Sequence, residues 1–189
     1  MILFSIMICA LDDRRQQYLE PLLAHLEKQK NEEIEIVVLS DQKQTSVGTK
    51  RNNLLQLAQG KFAAFVDDDD WVSDTYVSDI LSAIKNTEEL DCIGFYGEVW
   101  FQEKWGGRMI HSVACGSWTE EPGTYYRPPN HLNPIRLELS RQVKFRDITI
   151  SEDHFWSVDL VKSGLLKNEV FLGHKPLYIY RCREAKKGL

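Results

Sequence analysis

Three apolar runs, each followed by a segment with helical spacing, occupy the first 90 residues and leave few folds open to this chain. Residues 2–10 are almost continuously apolar and end at Asp12-Asp13-Arg14-Arg15. Tyr18, Leu19, Leu22, Leu23 and Leu26 then recur at the spacing of one helix face. A second run, 34–39, ends at Ser40-Asp41, and Leu54, Leu55, Leu57 and Ala58 mark a helix that stops at Gly60. The third run, 62–66, leads into Asp67-Asp68-Asp69-Asp70 and a helix over 76–84, with Ser73 or Asp74 as its N-cap. Runs without polar alternation suit strands buried on both faces. The alternation predicts an α/β fold with a mostly parallel central sheet. Ligands of such sheets bind beyond the carboxyl ends of the strands. The acids at 12, 41 and 67 are therefore expected on one sheet edge.

The second half changes character. Residues 92–104 read as a strand, and Trp105-Gly106-Gly107-Arg108 reads as a hairpin turn into 109–115. Residues 116–134 form a Gly/Pro/aromatic segment long enough to suspect function. A helix is expected near Ser151, then a short strand over 177–180 and a basic tail.

Composition narrows the function classes. A length of 189 residues suits one full-sized core, and a net charge of -5 argues against a chain built to coat nucleic acid. Cys9, Cys92, Cys115 and Cys182 show no C-x-x-C spacing, so they read as small buried side chains of a reducing compartment. No segment approaches the roughly 20 apolar residues that span a bilayer. The run at 2–11 lacks a preceding Lys or Arg and reads as a strand, not as a signal peptide. A soluble, cytoplasmic protein is expected.

Three clusters carry chemistry. Four adjacent carboxylates repel, and two such charges about 4 Å apart cost several kcal/mol near a protein surface. An acidic run also serves as a helix N-terminus, but at a strand end in the ligand crevice it suits a hard divalent cation, Mn²⁺ or Mg²⁺. Gly48-Thr49-Lys50-Arg51-Asn52-Asn53 places basic residues at a helix start, against the macrodipole, which anion binding accounts for. Ser151-Glu152-Asp153-His154 is either a plain helix start or a carboxylate pair able to accept a proton. Among the histidines, His131 in Arg127-Pro128-Pro129-Asn130-His131 and His174 before the last strand could complete a metal or diphosphate site.

In order and context, Ser40-Asp41, Gly48-x-Lys50-Arg51-Asn52, Ala58-x-Gly60, Phe65-Val66-Asp67-Asp68-Asp69-Asp70-Trp71 and the later Glu152-Asp153 resemble a family-2 glycosyltransferase of the GT-A fold. That resemblance implies one domain over 1–189, with 1–90 binding a nucleotide sugar and 91–189 binding the acceptor. It implies that Asp41 pairs with the donor base and that Arg51 contacts the nucleoside. Asp67 and Asp68 belong to the donor site, with Ala10 and Asp12 at the first donor contacts. Asp69 becomes the direct metal ligand, with His174 as a second. Asp153 becomes the base of an inverting reaction, and Glu152 and His131 become acceptor contacts. The implied partners are a nucleotide-diphospho-sugar, UDP-sugar above all, and a glycan or other hydroxyl acceptor. A sugar-phosphate nucleotidyltransferase is a rival on a similar sheet, although Leu11-Asp12-Asp13-Arg14 lacks the glycine-rich loop that chemistry expects. A non-catalytic sugar-nucleotide or carbohydrate-binding module is another.

Overall fold

The structure, a computed structural model, describes residues 1–182. The basic tail lies outside the described residues. The first strand, β1 (Phe4–Leu11), passes through a 3₁₀ turn at Asp12–Arg14 and a π turn at Arg15–Leu19 into α1 (Glu20–Glu27). The chain continues as β2 (Ile34–Asp41), α2 (Val47–Leu57) and β3 (Phe62–Phe65). β1 lies between β2 and β3, parallel to both, with Phe4 opposite Ile34 and Phe62. Leu11 faces Asp41 at the far end, so the strand ends are level.

Alternate residues of β1 feed two apolar clusters, as a period of two requires. Phe4, Ile6, Ile8 and Ala10 pack with Leu22, Tyr76 and Ile80, while Met7 and Cys9 pack with Leu54, Phe65 and Trp156. Helix α2 stops at Leu57 because the chain must turn back under β1. Gly60 is demanded there by space: a Cβ would sit 2.6 Å from Ser5 Oγ and 2.7 Å from Ser5 N.

After the acidic turn come β4 (Trp71–Val72) and α3 (Tyr76–Asn86). The cap position of α3 is Thr75, not Ser73 or Asp74, and no side chain caps it. Thr75 instead gives its hydroxyl to Asp79 one turn on, at 2.7 Å.

β5 (Cys92–Phe101) and β6 (Lys104–His111) form the expected antiparallel hairpin, but the turn is Gln102-Glu103. Gln102 takes the left-handed backbone that the tight turn needs, at φ 57°. The Gly106-Gly107 pair lies within β6 for packing reasons. A Cβ on Gly106 would meet the Phe101 ring at 2.3 Å, and one on Gly107 would meet the Gly123 carbonyl at 2.8 Å. The long 116–134 segment contains a small hairpin, β7 (Thr119–Glu121) and β8 (Thr124–Arg127). β9 (Ile135–Arg136) pairs antiparallel with both β3 and β5, so one sheet, ordered β2-β1-β3-β9-β5-β6-β8-β7, runs through both halves. α4 (Leu137–Ser140) and α5 (Glu152–Ser163) follow, then β10 (Glu169–Leu172) and β11 (Tyr178–Cys182), both parallel to β5. No helix among the described residues is long and apolar enough to cross a membrane.

Candidate active site

The strand ends do converge. Lys50, on the first turn of α2, is buried, and its ammonium donates to the Ala10 carbonyl at 3.0 Å and to Asp41 Oδ1 at 2.7 Å. Asp41 also accepts from the backbone N–H groups of Lys43 and Thr45, at 3.2 and 2.8 Å. Burial works against its ionisation, but the Lys50 ammonium and those two N–H groups hold its carboxyl below the usual range. The Asp41 carboxylate thus faces Lys50 and the 43–45 turn. Asp12 is exposed and accepts from the Ser40 hydroxyl.

The acidic turn splits into four different environments. Asp70 is buried and accepts from the Tyr178 hydroxyl and the Arg181 N–H, both at 2.7 Å. Asp68, with its side chain 1% exposed, is gripped by the Arg14 guanidinium. Burial pushes its carboxyl up to about 6 despite that cation. Asp67 accepts from Arg51 Nη2 at 2.9 Å and lies 3.3 Å from His131 Nε2. Burial would raise its pKa, but Arg51 and His131 together hold it far below the carboxylate range. Asp69, 26% exposed, lies 3.6 Å from Arg14 Nη1. Much of the expected repulsion is therefore answered by the protein's own groups.

Arg51 is the hub. Its Nε lies 3.2 Å from Glu152 Oε1, its guanidinium stacks 4.8 Å above the Phe65 ring, and Nη1 has no partner. The pairing joins α2 to the start of α5, a hundred residues on. Ser46 and Thr49 reinforce it by donating to Asp147 at 2.6 and 2.7 Å. Gly48 permits it, because a Cβ there would overlap the Arg146 carbonyl at 1.8 Å. Ser151 precedes α5 with φ 65° and makes no capping bond.

Two cavities meet at this hub. One, of about 370 Å³, is lined by Ala10, Arg14, Lys43, Thr45, Asp68 and Asp69. The other, of about 430 Å³, is lined by His111, Trp118, Tyr125, Arg127, His131 and Asp153. Arg51, Asp67 and Glu152 border both. Asp41 and Asp12 lie on neither wall. The expected pairing of His174 with Asp69 is not formed. His174 is exposed in the turn before β11, next to Lys175, which pairs with Asp79 of α3 at 2.9 Å. The acidic turn instead meets the far end of β11, at Arg181. It is His131 that reaches the acids from the second half.

A sequence profile of Glycosyl transferase family 2 matches residues 42–158, more than half of the chain. This chain belongs to that family. Solved structures share the fold of this family-2 chain at low identity. It is 18% identical to Staphylococcus aureus TarS 1–349 in complex with UDP-GlcNAc, with a TM-score of 0.71, covering 98% of this chain and 60% of that one. Against the same fragment in complex with UDP the TM-score is 0.69 at 18% identity, covering 95% and 60%. EpsH, a proposed glycosyltransferase of Bacillus subtilis (strain 168), is 22% identical over 135 residues, 59% of this chain and 38% of EpsH. This family-2 chain thus spans well under two thirds of the length of these relatives.

Three features of the site went unread in the sequence. Lys50 was expected to serve an anion from the helix start, yet its ammonium is the buried counter-charge of Asp41. Arg14 reaches the acidic turn across 54 residues. Trp118, Tyr125 and Arg127 wall the second cavity, and the length and composition of 116–134 were the one signal for them.

Proposed function

We propose that this chain transfers a sugar from a nucleotide-diphosphate donor, with UDP favoured, to the hydroxyl of a glycan or another acceptor, inverting the anomeric carbon. The observation that carries this reading is the shared wall of Arg51, Asp67 and Glu152 between two cavities of unlike chemistry. The cavity at the strand ends holds cations and carboxylates, which suits a nucleotide diphosphate. The other is aromatic and contains Asp153, which suits a sugar-like acceptor and its base. Likeness to TarS, solved with UDP-GlcNAc and with UDP, supports a nucleotide-sugar donor.

Asp67 and Asp69 are the partly exposed carboxylates of the donor side, while Asp68 and Asp70 are turned to Arg14 and Tyr178. Among the described residues no group of three or more His, Cys, Asp or Glu side chains converges on a metal position. Two oxygen donors fit Mn²⁺ or Mg²⁺ when phosphate oxygens complete the shell. When bound, such a cation neutralises the departing diphosphate. Arg14, with its side chain 30% exposed beside Asp69, adds a fixed guanidinium to the same end of the cavity. The Lys43–Thr45 rim, whose backbone N–H groups the Asp41 carboxylate holds, is assigned to the donor base.

The reaction is one displacement. The acceptor oxygen bonds to the anomeric carbon as the bond to the diphosphate oxygen breaks, and the electron pair leaves with the nucleotide. The acceptor proton passes to the Asp153 carboxylate. Glu152, buried against Arg51, anchors the shared wall while Asp153 is turned into the acceptor cavity.

Calorimetric competition among UDP, GDP and CDP, together with product analysis after incubation with UDP-sugars and Mn²⁺, tests the reading. UDP preference and release of UDP with sugar transfer or hydrolysis are expected. Preference for GDP would remove the assignment to a uracil donor, and formation of UTP and sugar 1-phosphate once pyrophosphate is added would indicate nucleotidyl transfer.

A further inference from the structure

We propose that His131 is a positioning residue that holds the Asp153 carboxylate toward the acceptor hydroxyl and ties it to the donor side. This rests on the reading above for the role of Asp153. The imidazole lies between Asp67, on the wall that the two cavities share, and Asp153, which borders the aromatic cavity alone: Nε2 is 3.3 Å from Asp67 Oδ2, and Nδ1 is 4.0 Å from Asp153 Oδ2. Asp67 borders the donor cavity and Asp153 does not.

The ring has little freedom to do anything else. His131 is buried, and its Nδ1 has no hydrogen-bond partner although it is sealed from solvent. An enclosed polar atom without a partner is a cost to the fold that a hydrogen bond would remove. Closing from 4.0 Å to ordinary hydrogen-bond length requires a shift of about 1 Å. Catalytic hydrogen bonds are often long before substrate arrives and tighten in the complex.

The backbone under the ring is fixed from both sides. The His131 carbonyl accepts from the Phe65 N–H at 2.8 Å, which extends β3 just short of Asp67. Ser157, one turn along α5 from Asp153, donates its hydroxyl to the Pro129 carbonyl at 2.9 Å. Asn130 Oδ1 accepts from the Leu132 N–H, and Asn133 Nδ2 donates to the Ile93 carbonyl, both at 3.0 Å. The segment therefore docks on the donor strand and on the helix carrying the base. His131 spans the gap between their two carboxylates with one rigid ring, and donating to both takes an N–H on each nitrogen.

The two nitrogens can be separated by substitution. An asparagine amide occupies the place of Nδ1, and a glutamine amide reaches that of Nε2. The test measures UDP release from UDP-GlcNAc and from UDP-glucose, and UDP affinity by calorimetry, for wild type, H131N, H131Q, H131F and D153N. H131Q and H131F are expected to lower kcat by up to about 100-fold, the effect of an ångström of misplacement. Donor KM and UDP affinity should stay within about twofold, H131N should keep most of the turnover, and H131F should add nothing on top of D153N. Wild-type turnover in H131Q, an H131N as slow as H131F, or losses that multiply with D153N would overturn the proposal. A wild-type chain that releases UDP from neither donor would count against the glycosyltransferase reading instead. A crystal structure with UDP then decides the position of His131 independently of turnover. Nδ1 within hydrogen-bond reach of Asp153 is expected, and a separation of 4 Å or more overturns it.

Discussion

The Lys50 ammonium lies 2.7 Å from Asp41 Oδ1, with Lys50 buried and Asp41 partly exposed at the ends of β1 and β2. Cutting Lys50 leaves the Asp41 carboxylate half-shielded and without its ammonium. Lys50→Met is therefore expected to destabilise the fold by about 1–2 kcal/mol, while the double variant with Asp41→Asn recovers part of that loss. Urea unfolding of the three variants measures it. A loss in the double variant equal to the sum of the singles would show that the pair does not act as a unit.

Asp67 and Asp69, the proposed cation pair, are about equally exposed, at 27% and 26%. Asp69→Asn should abolish the Mn²⁺-dependent part of UDP affinity without changing the melting temperature, because a neutral amide is a poor ligand for a hard cation. Calorimetry with Mn²⁺ and with chelator reads this. An unchanged Mn²⁺ effect would move the cation elsewhere.

Asp153 and Glu152 should fail in different ways. Asp153→Asn is expected to slow turnover by roughly two to four orders of magnitude with nearly unchanged UDP affinity. Glu152→Gln should instead lower thermal stability, since Glu152 is buried against Arg51. Full turnover in Asp153→Asn together with its loss in a folded Glu152→Gln would reverse the two roles.

His111 gives the fold a pH dependence. It is buried and stacked flat on Phe95, with ring centroids 5.0 Å apart. Burial, with the nearby His131 and Arg127, pushes its pKa down to about 3. A histidine whose folded pKa is depressed contributes fully above its unfolded value near 6.5, and that stability is lost as pH falls toward the folded pKa. Between pH 7 and pH 5 the wild type should lose about 2 kcal/mol that His111→Phe does not lose. Parallel denaturation curves at both pH values would rule out this source.

The first half of the fold was legible because strand and helix periods differ, and the polar breaks fell where the strands end. That alone placed Asp12, Asp41 and Asp67 at one edge. The hairpin turn was misplaced because Gly106 and Gly107 answer to Phe101 and Gly123, contacts that local sequence does not announce. The four aspartates looked alike in sequence. Their separation depends on Arg14, Arg51, His131 and Tyr178, drawn from four distant segments. His174 and His131 both stood in the second half; β11 runs antiparallel to β4 and so leaves His174 at its far end, while docking of His131 on β3 brings its ring to Asp67.

The missing side chain of Gly48 has a mechanical consequence. With the 146–148 backbone lying against the first turn of α2, the helix that carries Lys50 and Arg51 and the helix that carries Asp153 are seated on one bearing surface. Neither can tilt without dragging the other. The β7–β8 ribbon with Trp118, Tyr125 and Arg127 is not held by that bearing. On the proposed reading, a library confined to 119–126 is therefore the place to retune acceptor choice, because it spares Trp118, whose ring packs edge-on against His154 beside Asp153.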